Sequence, residues 1–451
     1  MATGPAALQE PNLQLIDLNS LSNTACSTIS SVSVRLGESD DDSATPKRLD
    51  SPALHDEHGE ATLPLTSDVK MFINTCIAFL GSGVLGLPYA FRQCGILMGL
   101  LTLMGVVAVT TYAMMLVVQC KYKLKQQGEN VTNYGEIGYF VMGHAGSVIV
   151  NTALVISQMG FCIAYLIFIA SNANQFLDVS KQLVVLICVP PLVGLSLLKH
   201  MRELAYVALL ADFMCILGLL AVLNIDLTYM EYDHDDIEFI GVVSAIPFFF
   251  GVANYCFEGV GMVLSLENSM RNKRNFTPIL VSTVVIITSL YATFGICGYL
   301  AFGNETNAVI TVNFDGGGGL ATLVKVSLCL GLFFTYPVML FPVFEILQPM
   351  MTRGQRLESL QLSQTKDIVL RTGIVLVTAV IAAGIPDFGW FISFVGSTCC
   401  SLLAFILPAF FHLCLFCDEP PTRTNRLRQV FLCAMMVLGF VMLCAGVAGV
   451  L

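Results

Sequence analysis

Residues 69–91 form an apolar stretch long enough to cross a bilayer, which takes about 20 residues. Its middle nevertheless reads Gly81-Ser82-Gly83-Val84-Leu85-Gly86-Leu87-Pro88. Glycine costs about 1 kcal/mol relative to alanine inside a helix, and proline removes a backbone hydrogen bond and crowds the preceding turn. In hydrocarbon, freed N–H and C=O groups are tolerated only where protein or water satisfies them. A membrane helix broken at this point therefore lines a cavity, and the break is expected to form half of a binding site.

The rest of the chain is consistent with that setting. Hydrophobic residues make up 55% and charged residues 12%, against roughly a quarter charged in soluble proteins, and the mean hydropathy is +0.76. The net charge of −10 argues against nucleic acid as a partner. The 16 cysteines are scattered, mostly within apolar segments, and no metal-like Cys/His spacing stands out, so they read as small packing residues. Neither an HExxH motif nor a GxSxG elbow is present, so an enzyme is not expected, and no metal or cofactor is implied.

Residues 1–66 are polar and include Ser39-Asp40-Asp41-Asp42-Ser43, which reads as a disordered cytosolic tail. No basic stretch leads into an apolar core at the start, so a cleaved signal peptide is not expected. From Val69 onward, about eleven apolar segments of spanning character follow, at 69–91, 95–119, 147–177, 182–199, 203–225, 239–267, 276–301, 319–347, 367–384, 389–416 and 429–450. Every second connection carries the Lys and Arg residues: Lys121, Lys123 and Lys125; Lys199 and Arg202; Arg271, Lys273 and Arg274; Arg353, Arg356 and Lys366; Arg423, Arg426 and Arg428. The alternate connections hold little beyond Arg92 and Lys181, and the acidic one at 226–238, with Asp233, His234, Asp235 and Asp236, has none. The positive-inside rule then places the N-terminus in the cytosol and the C-terminus on the far side. Of the three sequons, at Asn130, Asn275 and Asn304, only Asn304 falls on the far side and is expected to be glycosylated.

The sixth segment is interrupted too. It holds Pro247, Gly251, Asn254, Tyr255, Glu258, Gly259 and Gly261 within an aromatic run, and it runs opposite to the first. Two interrupted helices at matching positions of oppositely oriented halves mark an inverted-repeat transporter. The expected architecture is an all-α polytopic membrane protein with a 5+5 inverted repeat and one extra helix. Residues 67–416 make the ten-helix core, and 417–451 a cytosolic loop and the eleventh helix.

Half-helices starting near Gly83–Gly86 and Gly259 would present free N–H groups and a positive dipole end to a carboxylate. Free carbonyls near Leu80 and Val252 would accept from an ammonium group. A zwitterion with both groups on one carbon fits this pairing, which points to an α-amino acid. The aromatic surroundings suit a neutral side chain. The residues expected to contact it are Gly81, Ser82, Gly83 and Gly86 from the first break, and Asn254, Tyr255 and Gly259 from the sixth segment. In the third segment Gln158, Phe161 and Tyr165 share one helix face, with Tyr165 facing the same substrate.

A carboxylate in hydrocarbon costs several kcal/mol unless protonated or paired, which makes Glu258 the candidate for proton coupling. A structural role, accepting backbone N–H bonds at the break, stands beside it. Asp212 and Lys325 either face the bundle interior or pair with each other. Glu267 and Glu345 read as charges at cytosolic helix ends, and His412 as a weaker proton-relay candidate. Thr335-Tyr336-Pro337 interrupts the eighth segment, and Thr335 is nearly the sole hydroxyl there, which favours protons over sodium.

The runs at 81–91 (GSGVLGLPYAF), 248–268 (FFFGVANYCFEGVGMVLSLEN), 298–303 (GYLAFG), 333–345 (FFTYPVMLFPVFE) and 396–412 (GSTCCSLLAFILPAFFH) resemble the amino acid/auxin permease family, in particular its vacuolar neutral amino-acid branch. The resemblance implies an eleven-helix APC/LeuT-like fold, proton-coupled movement of neutral amino acids, a vacuolar or lysosomal membrane, and a substrate held at the two breaks. Unlike some animal members, the chain has no histidine at 72–76, which shifts the proton role onto Glu258. The expected function is secondary active export of neutral L-α-amino acids from vacuole or lysosome to cytosol, with amino acids, protons and membrane lipids as partners. The alternative is an amino-acid sensor signalling through the tail 1–66.

Overall fold

The computed structural model describes residues 67–449 apart from 178, 199–200, 230–236, 315–318, 353–359 and 421. The tail 1–66, on which a sensor would depend, lies outside the described residues. So do the acidic stretch at Asp233–Asp236, the glycines at 316–318, and Lys199, Arg353 and Arg356.

All regular structure among these residues is helical. The helices are α1 (Asp68–Phe79), α2 (Leu87–Cys94), α3 (Ile96–Gln126), α4 (Tyr134–Leu177), α5 (Lys181–Ser196), α6 (Met201–Tyr229) and α7 (Ile246–Cys256). They continue with α8 (Val263–Ser269), α9 (Phe276–Phe302), α10 (Gly319–Thr352), α11 (Leu360–Gly384), α12 (Phe388–Val395), α13 (Leu407–Leu415) and α14 (Arg423–Ala448). Eight are long and apolar enough to cross a membrane, counting Phe388–Leu415 as one, or nine with the bent pair α1/α2. The shorter apolar helices α5 and α7 complete the expected eleven spans.

A short helix from Tyr134 precedes the third span, and Gly143, with φ 66°, breaks the helix between the two. The left-handed region is open to glycine at no steric cost. The eighth span is a continuous helix through Pro337, Pro342 and Pro349. The Thr335 hydroxyl back-bonds to Gly331 O at 2.9 Å within that helix.

The packing repeats with a shift of five spans. Both halves of span one (α1 and α2) pack on span seven (α9), and both halves of span six (α7 and α8) pack on span two (α3). Span five (α6) packs on span eight (α10), and span ten (α12 with its continuation) on span three (α4). Spans four and eight are joined in the same way as spans nine and three. Because consecutive spans alternate in direction, a shift of five inverts the unit, and this is the 5+5 inverted repeat. α14 lies outside it, against the continuation of α12.

That continuation is unusual. Residues Gly396–Cys400 and Leu402–Ile406 are two π-helical turns, a wider ladder that leaves carbonyls short of regular partners. Asn254 Nδ2 donates to Gly396 O at 2.8 Å and to Ser401 Oγ at 3.1 Å. Glycines allow the crossing: a methyl at Gly396 would lie 1.9 Å from Gly251 O.

Candidate functional site

The two breaks face each other. The first span bends by 43° between α1 and the 3-10 turn Ser82–Gly86 that leads into α2. Gly81 there is extended, at φ −134° and ψ −176°. In the sixth span the helix stops at Cys256 and restarts at Val263. The unwound stretch is therefore 257–262, several residues beyond the carbonyl end expected near Val252, which lies inside α7. Pro247 sits at the start of α7, where its missing N–H costs nothing.

Between the breaks is a small cavity of about 30 Å³, room for one or two waters. Span one lines it with Leu80, Gly81, Ser82 and Gly83, and span three with Gln158, Phe161 and Tyr165. Span six adds Tyr255, Cys256 and Glu258, span seven Tyr291 and span eight Met339. The Ser82 and Tyr255 hydroxyls are 3.0 Å apart and bonded, and the Phe161 and Tyr255 rings pack at 4.5 Å. Glu258 Oε1 accepts weakly from Gly261 N at 3.4 Å. Glu258 Oε2 and Gln158 Oε1 are both buried without a hydrogen-bond partner among the described residues. Buried acceptors of this kind call for a ligand, a water or a proton.

Six of the nine residues singled out from sequence thus meet here: Gly81, Ser82, Gly83, Tyr165, Tyr255 and Glu258. The other three do not line the cavity. Gly86 faces Ile392, and Gly259 faces the Phe79 ring and Met114. Asn254 is fully buried and turned towards the π-helical turns of span ten. Sequence reasoning missed Tyr291, whose hydroxyl donates to Phe79 O. That bond takes up one of the carbonyls expected to receive an ammonium group. The remaining signal for it was a phenol midway along an apolar span, since a buried phenol needs a partner.

A vestibule of about 570 Å³ leads from the break along Asn74 and Ile77 of α1, Asp212 of α6, Ser265 of α8, and Thr335, Pro342 and Glu345 of α10. That volume is within the roughly 300–1,000 Å³ of small-molecule sites. A second cavity of about 610 Å³ shares Leu154, Gly261, Ser265, Pro342, Glu345 and Ile346 with it. Together they open towards the side on which α1 begins, called here the near side. Asp212 and Lys325 do not pair: Lys325 Nζ donates to Gln175 Oε1 at 2.8 Å and to Phe314 O at 3.2 Å. His412 bonds Gln119 at 3.2 Å and stacks on Phe416, so it sits between spans ten and two rather than at the break. Glu267 is bound by Lys121, by Tyr122 Oη at 2.5 Å and by Lys273 at 3.6 Å, which ties α8 to the end of α3.

The far side is shut. The segment Gly303–Phe314 is tied over α2 and α4 by three bonds. Arg92 Nη1 donates to Thr306 O at 2.9 Å, Thr311 Oγ1 to Asn172 Oδ1 at 2.6 Å, and Gln175 Nε2 to Val312 O at 3.0 Å. Asn304 is exposed in that segment.

Comparison with known proteins adds a family. The family described as "Transmembrane amino acid transporter protein" matches residues 66–451. Amino acid transporter AVT3C of Arabidopsis thaliana is 38% identical over 83% of this chain and 88% of its own. Amino acid transporter ANT1 of the same plant is 36% identical over 79% and 90%. Vacuolar amino acid transporter 4 of Saccharomyces cerevisiae is 27% identical over 77% of this chain, which spans 53% of that longer protein. Among solved structures, a manganese transporter of Eremococcus coleocola matches at 13% identity over 84% of this chain and 95% of its own, with a TM-score of 0.33, a likeness too slight to carry an inference.

Proposed function

The chain belongs to the transmembrane amino acid transporter family and moves amino acids across a membrane, and from that premise we propose that it exports neutral L-α-amino acids from vacuole or lysosome to cytosol, coupled to protons. The vacuolar membrane is suggested by the printed name of the yeast relative. The near side corresponds to the cytosol on the reading from the basic connections, which places the N-terminus there.

The observation that carries the substrate site is the cavity at the two breaks. The N–H groups at Ser82 and Gly83 and the positive end of the half-helix that follows suit a substrate carboxylate. With Phe79 O taken by Tyr291, Gln158 Oε1 and Glu258 Oε2 are the unpartnered side-chain acceptors there. They are the natural partners of the ammonium group. Phe161, Tyr165, Tyr255 and Met339 enclose an uncharged side chain. The small cavity is the collapsed site, opening into the near-side vestibule as the half-helices part. Alternating access follows from rocking one half against the other.

Glu258 carries the proton in this reading, since it lines the site and has one oxygen without a partner. Labelled alanine, serine, leucine, glutamate and lysine, taken up into proteoliposomes with and without a pH gradient, test both claims. Neutral amino acids are expected to be accumulated when protons flow with them, and Glu258→Gln is expected to abolish accumulation while sparing exchange. Gradient-driven accumulation that survives in Glu258→Gln would make Glu258 a structural residue. Equal uptake of glutamate and alanine would sink the neutral-substrate claim.

A further inference from the structure

The carboxyl group of Asp226 plays no part in the site described above, and its surroundings are odd. It lies near the far-side end of α6 and is fully buried, and neither oxygen has a hydrogen-bond partner among the described residues. It sits where α6, α9 and α2 meet. A methyl at Gly298 of α9 would lie 3.4 Å from Asp226 Oδ2 and 2.7 Å from the ring of Pro88 in α2. The absence of a side chain at Gly298 is what lets all three elements close on the carboxyl group.

The ionisable groups on the elements around it are engaged elsewhere. Arg92 of α2 bonds Thr306 O and lies over the Tyr89 ring. Lys325 of α10 is held by Gln175 and Phe314 O. On α9, Tyr299 Oη accepts the Glu238 N–H at 3.0 Å, and Cys297 is a free thiol that brings no positive charge. Tyr229, on α6 itself, packs on Phe302. No described cation is within reach. An ionised carboxylate buried without partners costs several kcal/mol, whereas the neutral acid costs far less. The packing seen here therefore accommodates Asp226 in its acid form.

We propose that Asp226 is a second proton-binding site, loaded from the far compartment, whose protonation is required for the far side to close. The far side is shut in this structure. Exchange of the Asp226 proton needs α2 or α6 to part from α9, and α2 is the half-helix that must move for the far side to open. Proton binding and closure are then linked, because only the protonated form packs. The proton on Asp226 gates the cycle from the far side and need not cross the membrane, since Asp226 lines neither the break cavity nor the near-side vestibule.

The proposal rests on the alternating-access reading but not on Glu258 as the coupling group. Its test is counterflow of labelled alanine in proteoliposomes of known orientation carrying the full chain, with near-side pH held constant and far-side pH varied. The wild-type rate is expected to fall with rising far-side pH, approaching about tenfold per unit in the steep range, the limit for one linked proton. Asp226→Asn, a neutral near-isostere, is expected to keep the acid-side rate and to lose the Asp226 share of this fall, leaving a shallower profile that Glu258 alone contributes. A wild-type profile in Asp226→Asn overturns the proposal. So does failure of Asp226→Asn to fold, because a pocket that holds the neutral acid must accept the neutral amide. Absence of counterflow in the wild-type protein would count against the transport reading instead. Thermal unfolding in detergent then decides on Asp226 separately: the wild type should lose stability as pH rises by a margin that Asp226→Asn lacks, and equal losses overturn the proposal.

Discussion

A methyl group at Gly83 would lie 2.6 Å from the Cys256 sulfur and 2.9 Å from Tyr255 Cδ1, so this glycine is where the two breaks touch. Overpacking of this kind costs about 1–3 kcal/mol, or roughly five- to 160-fold in an equilibrium. Gly83→Ala is expected to reduce alanine transport by at least about fivefold on that basis, and Cys256→Ala in the same chain to restore part of it. Initial rates in proteoliposomes check both, and no rescue would mean the strain lies in the backbone. Tyr291→Phe removes the bond to Phe79 O. Leaving that carbonyl unsatisfied should cost about 1–3 kcal/mol, read as a lower unfolding temperature in detergent. Residue types and spacing made part of this legible: Gln158, Phe161 and Tyr165 share a helix face and do line the cavity. Asn254 shows the limit. A polar residue in an apolar span is visible in sequence, but the direction it points is set by which neighbour needs a donor, here the π-helical turns of span ten.

At the scale of elements, the crossing of α7 over span ten decides how rigidly the sixth break is held. Gly396→Ala would drive a methyl to 1.9 Å from Gly251 O, a contact with backbone that cannot swing aside. It should yield little folded protein, whereas Gly105→Ala in α3, with nothing within 4 Å of the added methyl, should unfold at or slightly above the wild-type temperature. Fluorescence-detected size exclusion of both variants makes the comparison. The end of α8 is held by the buried Lys121–Glu267 pair. Lys121→Met strands the carboxylate, and loss of one member of a buried pair costs about 3–5 kcal/mol. The expected result is a marked fall in unfolding temperature, and an unchanged temperature would show that Tyr122 and Lys273 suffice. Both broken spans were readable from glycine and proline content. The place where the sixth one unwinds was not, because Gly251 serves close packing while Gly259 and Gly261 fall in the unwound stretch. Glycine composition cannot separate those uses.

At the scale of the molecule, the packing of each span is repeated five spans later, and the two breaks come to face each other at the centre. The cavities open on the near side, while Gly303–Phe314 covers the other. If the near side is cytosolic, Asn304 is the sequon that meets the glycosylation machinery. Asn304→Gln should abolish the shift on a gel produced by a glycosidase, while Asn130→Gln and Asn275→Gln leave it intact. A shift that depends on Asn275, which here donates to Asp68 at 2.7 Å, would reverse the topology.

The sequence by itself determined the solvent, the number of spans, the inverted relation of the halves and the two broken helices. These follow from local rules: apolar length, the distribution of basic residues, and the cost of glycine and proline in a helix. Only the tertiary structure decided which polar groups face the cavity, which carbonyl Tyr291 occupies, and that Asp226 is enclosed without a partner among the described residues. Those outcomes depend on contacts between distant segments, such as Gly298 against Pro88 and Asn254 against Gly396. The first glycine break was visible from the start as an interruption. That it meets Tyr255 and Cys256, with Glu258 beside it, is a consequence of packing.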